Sequence, residues 1–217
     1  METQKDSPMQ EPWKRANADW LRDAKFGVML HYLADPTNAE NSAADSVEEW
    51  NRRVDAFDVP ALVGMLQQVH AGYLLFTVGQ FSGYYCSPNA TFDRIVGIQP
   101  SRCSNRDLVG EIAVALAPTG IRLIVYSMAT GPMWHRNVHG WWIDACYYPE
   151  KMYYFDDEPN FRSFARALKA GNPDSLVSFS LEGAVTWDVP IASTGVVPEI
   201  FVRQLAAIGS EARDNRS

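Results

Sequence analysis

Apolar residues fall along this chain in short continuous runs, separated by stretches with helical spacing. That alternation predicts parallel strands covered by helices. The first run, Phe26 to His31, reads as a strand. Asp58 is placed to cap a helix over Val59 to Val69, with Pro60 in its first turn and Ala71-Gly72 at its end. Tyr73 to Val78 is apolar without interruption, the pattern of a strand buried on both faces. Asn105 or Asp107 opens a helix through Ala117, Pro118-Thr119-Gly120 closes it, and Ile121 to Ser127 forms a third strand. His139 to Asp144 is a fourth strand, Asn160 to Ala170 a helix, Ser175 to Phe179 a fifth strand and Ala184 to Asp188 a sixth. Pro198 to Ile208 is the last helix.

The rhythm breaks twice. Eleven residues, Met128 to Val138, separate the third and fourth strands, short of the dozen or more that a crossover helix needs. Between Phe179 and Ala184 only Ser180-Leu181-Glu182-Gly183 intervene, enough for a hairpin-like turn and not for another parallel unit. The expected fold is therefore α/β, derived from a (β/α)₈ barrel but incomplete, with about six strands. A single domain over residues 18–209 is expected, with flexible segments at 1–17 and 210–217.

With 217 residues, 47% of them hydrophobic, the chain has material for one core. A net charge of -7 excludes the clustered basic footprint of a nucleic-acid partner. No apolar stretch is long enough to span a membrane, and the first residues lack an apolar signal core, so the chain as written reads as soluble and cytoplasmic. Cys86, Cys103 and Cys146 lack the paired short spacings of structural zinc and read as reduced core thiols. A Cys86–Cys103 disulfide, with Asn89-Ala90-Thr91 as a glycosylation acceptor, belongs to the alternative of an oxidising compartment.

Side chains at the carboxyl ends of parallel strands converge on the ligand. His31, Gln80, Tyr126 with Ser127, Asp144 and Asp188 hold those positions. Alternation along the fourth strand puts Gly140, Trp142 and Asp144 on one face, with Trp141 and Ile143 on the other. An aromatic ring beside a carboxylate suits a sugar: the ring packs on its C–H face, and the carboxylate accepts hydroxyl protons or attacks the anomeric carbon. The alternative is a core Trp142 with Asp144 capping the turn that follows. No phosphate loop, Gly-x-Ser-x-Gly elbow, His-Glu-x-x-His or dinucleotide fingerprint is present, leaving paired carboxylates as the simplest machinery. Asp144 is one of the pair, and Glu182 or Asp188 the candidate for the other.

Trp20-Leu21-Arg22-Asp23-Ala24-Lys25-Phe26-Gly27-Val28-Met29-Leu30-His31-Tyr32 resembles the opening strand of α-L-fucosidases of glycoside hydrolase family 29. Glu49-Trp50 is similar to their next landmark. Phe57-Asp58 through Gly72-Tyr73 and Arg106-Asp107 through Leu123 are similar to the two strand–helix units that follow. Trp142-Ile143-Asp144-Ala145 resembles their Trp-Phe-Asp-Gly segment, in which the aspartate is the nucleophile of a retaining mechanism. The resemblance implies a barrel without metal or cofactor and a small carbohydrate or glycoconjugate substrate. It implies Asp144 as nucleophile, with His31, Trp50, Trp142 and the loop after the second strand around the sugar; Gln80 and Tyr126, from their strand-end positions, and Trp187 are further substrate-binding candidates. It also implies a second carboxyl group about 5 Å from the first. Where typical fucosidases carry two adjacent histidines after the second strand, this chain reads Val78-Gly79-Gln80-Phe81, which marks a divergent branch. The closing segment, Gly183 to Pro190, arrives as though the sixth and seventh units were deleted.

Overall fold

The computed structural model describes residues 18–34, 44, 46–80, 82–128, 138–144, 166–178 and 185–214. Each of the six predicted strands is present: β1 Phe26–Leu30, β2 Tyr73–Gly79, β3 Arg122–Met128, β4 Gly140–Asp144, β5 Leu176–Ser178 and β6 Val185–Val189. They form one sheet in the order β5-β4-β3-β2-β1-β6, and every neighbouring pair is parallel.

The helices follow from local chemistry. Asp58 and Asp107 accept hydrogen bonds from Ala61 N and Gly110 N, and so cap the predicted helices α3, Val59–Gln68, and α5, Leu108–Leu116. A 3₁₀ turn at Ala117–Thr119 and a left-handed Gly120 then release the chain into β3. Three further helices lie outside the expected elements: α1 at Asp19–Ala24, α2 at Val47–Asp55 and α4 at Ala90–Val96. α2 carries a legible signal, since Ser46 caps it through Glu49 N, the spacing of a capping box. Asn89 caps α4 by accepting from Phe92 N, a local task for the residue that heads the sequon. The last helix, α6, runs Glu199–Asp214, longer than expected. Residues 166–169 are helical, and the rest of the predicted 160–170 helix lies outside the described residues.

The sheet has two faces. Val28, Leu30, Leu74, Phe76, Val78, Leu123, Val125 and Trp141 share a core with Val54, Leu62, Leu66, Leu108, Ile112 and Leu205 of the covering helices. Tyr73, Leu75, Ile124 and Tyr126 form a second cluster on the other face, with Leu21, Trp20, Met29 and Trp142. This is the division of a barrel wall, with helices outside and layered side chains inside. Gly27 allows the inner layer: a Cβ there would lie 2.2 Å from the Tyr73 ring. Trp20 of α1 meets Tyr73 and His139 edge-on and carries the Arg122 guanidinium 4.8 Å from its ring centre, covering the inner face at its amino-terminal end.

Of the two short connections, the first joins neighbouring parallel strands and the second departs from the expected hairpin. β3 and β4 are parallel although only residues 129–139 join them. Eleven residues, at up to roughly 3.3–3.6 Å each, are chain enough to reach back to the start of a neighbouring strand. Its end is docked, with Val138 buried and its carbonyl accepting from the Asn172 side chain. The expected hairpin between the fifth and sixth strands is absent, because β6 leaves β5 and pairs with β1 in parallel register, Phe26 to Val185 through Leu30 to Val189.

That linkage dictates curvature. Seven peptide steps from Ser178 to Val185 reach at most roughly 25 Å. In a flat sheet five strand spacings separate β5 from β6 by about 24 Å, and the register places Val185 about 16 Å below Ser178 along the strand direction. The flat diagonal, about 29 Å, exceeds the reach, so the sheet curls to bring its edges together. It does not close: among the described residues β5 and β6 have no hydrogen-bonded strand on their outer edges.

Candidate active site

Curling gathers the carboxyl ends of the strands. At the end of β1, His31 Nδ1 lies 3.1 Å from Asp188 Oδ1 on β6. Because a carboxylate only accepts, Nδ1 carries the proton in this bond. The imidazole ring meets Tyr126 of β3 edge-on at 5.7 Å between centroids, and Tyr126 in turn lies 6.5 Å from Trp142 of β4. A continuous row of Asp188, His31, Tyr126 and Trp142 thus crosses the inner face. Its exposure is graded: the Asp188 side chain is 56% exposed, His31 27%, and Tyr126 buried.

The support beneath His31 is explicit. Tyr32 N donates to Thr77 Oγ1 at 2.8 Å, so β2 holds the chain immediately after His31. The Tyr32 ring packs among Trp50, Phe57 and Phe76, and its hydroxyl lies 3.0 Å from the carbonyl oxygens of Arg53 and Ser193. Burial pushes the Tyr32 hydroxyl far above the usual phenol range, so it stays a neutral donor. Thr77 and Tyr32 escaped the sequence reading, which weighs a strand-end residue by its own chemistry and not by what it steadies.

Trp50 differs from its expected role. It is fully buried, its indole N–H donates to Tyr85 O at 3.0 Å, and its ring packs on Tyr32 and Tyr84. In this arrangement it presents no surface to a sugar and braces the segment after β2. Gln80 sits half-buried just beyond β2, where its carbonyl accepts from Gly83 N. The backbone of Asp144 ends β4 in register with Met128, and Trp187 lies in β6 opposite Val28, on the parity opposite to Asp188. Glu182 lies outside the described residues.

Other groups do not join the row. Cys86 and Cys103 are free and buried, in agreement with reduced thiols, and burial pushes the Cys103 thiol up to about 11. Cys146 lies outside the described residues. Among the described residues no cluster of three or more His, Cys, Asp or Glu could hold a metal ion. Nor is any helix there long and apolar enough to cross a membrane. A groove of about 320 Å³ between α3 and the start of α6, lined by Ala61, Met65, Val196 and Val202, lies among the outer helices and offers Glu199 alone as an ionisable group.

No protein-family model matches the chain, and no curated protein matches it by sequence. Solved structures do. The α-L-fucosidase AlfC from Lactobacillus casei in complex with α-L-fucose aligns with a TM-score of 0.61 at 12% identity, covering 93% of this chain and 100% of that one. An α-L-fucosidase from Vibrio sp. strain EJY3 aligns at 0.59 and 10% identity, covering 91% of this chain and 55% of that one. A third α-L-fucosidase aligns at 0.62 and 13% identity, covering 93% and 76%. The chain therefore has a divergent α-L-fucosidase-like fold, an α/β barrel wall of six parallel strands that is not closed.

Proposed function

We propose that this chain is a retaining glycoside hydrolase of α-L-fucosidase type, acting on a terminal α-L-fucoside or a related glycoside. The observation that carries the reading is the row Asp188–His31–Tyr126–Trp142 along the carboxyl-terminal ends of a fucosidase-like sheet. It offers a sugar an apolar ring surface beside polar acceptors. Neighbours of this fold bind α-L-fucose, Fuca(1,6)GlcNAc and 4-nitrophenyl-α-L-fucopyranoside.

In this reading Asp144 attacks the anomeric carbon and forms a glycosyl-enzyme, which water then releases. Register supports its position. Asp188, Met29, Leu75, Ile124 and Gly140 stand in line across the sheet, and Asp144 is four residues beyond Gly140 on a strand four removed from β6. In a closed barrel of shear eight each strand climbs about one residue on its neighbour, which would bring the two aspartates toward one height. The His31–Asp188 bond supports the direction of climb, since His31 is two residues beyond Met29, the register partner of Asp188. The acid/base partner is Asp188 or Glu182 in this scheme.

A second reading, a sugar-binding remnant without turnover, is favoured by the unclosed sheet, because retaining chemistry needs carboxyl groups held about 5 Å apart. Hydrolysis of a panel of aryl glycosides, headed by 4-nitrophenyl-α-L-fucopyranoside, separates the two. The hydrolase reading expects turnover that falls at least about 10³-fold in Asp144→Asn. Binding of L-fucose with no cleavage of any glycoside establishes the remnant, and neither binding nor cleavage removes both.

A further inference from the structure

We infer that Asp188 is a positioning residue for His31: its carboxylate holds the proton on Nδ1 and so presents Nε2 as a hydrogen-bond acceptor, selecting a ligand hydroxyl that donates. The assignment of that hydroxyl to a sugar rests on the glycosidase reading; the pairing does not.

The two residues are 157 positions apart in sequence and meet because β6 pairs with β1. Asp188 is in register with Met29, two residues before His31 on the same parity, which sets its carboxylate beneath the imidazole at 3.1 Å. The ring has a second constraint on its orientation, the edge-on Tyr126 at 5.7 Å. Among the described residues no group hydrogen-bonds to Nε2, and the side chain keeps 27% of its surface open. A histidine anchored through one nitrogen has its tautomer chosen by that bond, and the other nitrogen takes the complementary role. Without Asp188 a neutral imidazole is free to carry its proton on Nε2 and would then reject the donor it otherwise accepts.

This role is an alternative to the acid/base task considered for Asp188. A carboxyl group that must give and take a proton at the glycosidic oxygen would hold His31 more weakly each time it was protonated, since a neutral acid is a poorer acceptor than a carboxylate. The two duties predict different patterns. A positioning residue acts only through His31, whereas an acid/base acts on substrate whether or not His31 is present.

Nitrogen-15 NMR of the histidine-labelled full chain at pH 8 reads the tautomer directly, with the His31 signals assigned by their loss in His31→Gln. The expected result is an Nδ1–H form in the unaltered protein and a shift toward Nε2–H in Asp188→Ala. An Nε2–H form in the unaltered protein overturns the proposal without recourse to any variant, and so does an unchanged tautomer in a folded Asp188→Ala. L-fucose titrations add a double-mutant cycle. Asp188→Ala is expected to weaken binding about tenfold, the worth of roughly one hydrogen bond, and to add nothing in a His31→Ala background. Equal losses in both backgrounds mean that Asp188 touches the sugar itself and count against the inference. Failure of L-fucose to bind a protein that shows the Nδ1–H tautomer sinks the fucoside reading and leaves the pairing intact.

Discussion

Single side chains in this protein gain their meaning from the neighbour the fold supplies. His139 illustrates it at the amino-terminal end of β4: its Nδ1 accepts from Leu123 N, and Trp20 meets the ring edge-on. Burial lowers its pKa, with a further push from the Arg122 cation. A histidine whose folded pKa is depressed favours the neutral form, so its contribution to stability is present above the unfolded value near 6.5. That contribution is lost as pH falls through that value toward the depressed one. Thermal unfolding followed from pH 8 to pH 5 should show Tm falling across this window. His139→Asn, which keeps an acceptor for Leu123 N, should flatten the fall; an unchanged slope would assign it to other groups. Trp50 teaches the same lesson in reverse. A tryptophan at a landmark of the resemblance was expected at the sugar, and only its burial and its bond to Tyr85 O reveal a bracing role.

Elements were the most legible level. Strand cores such as Tyr73 to Val78 announce themselves because both faces are apolar, and Asp58 and Asp107 announce helix starts because a short carboxylate satisfies otherwise unpaired N–H groups. Asp107 makes a double contribution: Oδ1 accepts from Gly110 N at 3.0 Å and from the Ser87 hydroxyl at 2.5 Å, tying α5 to the segment after β2. Asp107→Ala should cost about 1 kcal/mol for the lost cap and somewhat more for the lost bond to the Ser87 hydroxyl. Chemical denaturation provides the check. A loss below a few tenths of a kcal/mol would show that Asp107 is dispensable to α5. The short helices α1, α2 and α4 were harder to read, since six to nine residues give little periodicity and their stability comes from what they pack against.

At the scale of the molecule, α6 links the last strand to the outer layer. Gly209 sits so close to the end of α3 that a Cβ would fall 1.9 Å from Val69 O, a backbone atom with no freedom to swing aside. Gly209→Ala should therefore push α6 off α3 and destabilise the protein by about 1–3 kcal/mol, lowering Tm by roughly 2–4 °C for each kcal/mol. A Tm equal to that of the parent would show that the two helices do not touch there.

The sequence by itself determined the strands, the capped helices and the two interruptions in the βα rhythm, because periodicity and capping are local properties of the chain. It also named His31, Tyr126, Trp142 and Asp188 one at a time, as polar or aromatic residues near strand ends. Only the tertiary structure decided that these four form a row, that Trp50 belongs to the core, and that β6 closes on β1 instead of turning back on β5. The physical reason is distance along the chain: the pairing of β1 with β6 joins residues 159 positions apart, as with Phe26 and Val185. Such a contact is set by which hydrogen-bonding edge remains open once the local pieces have formed, and no local pattern of residues encodes it.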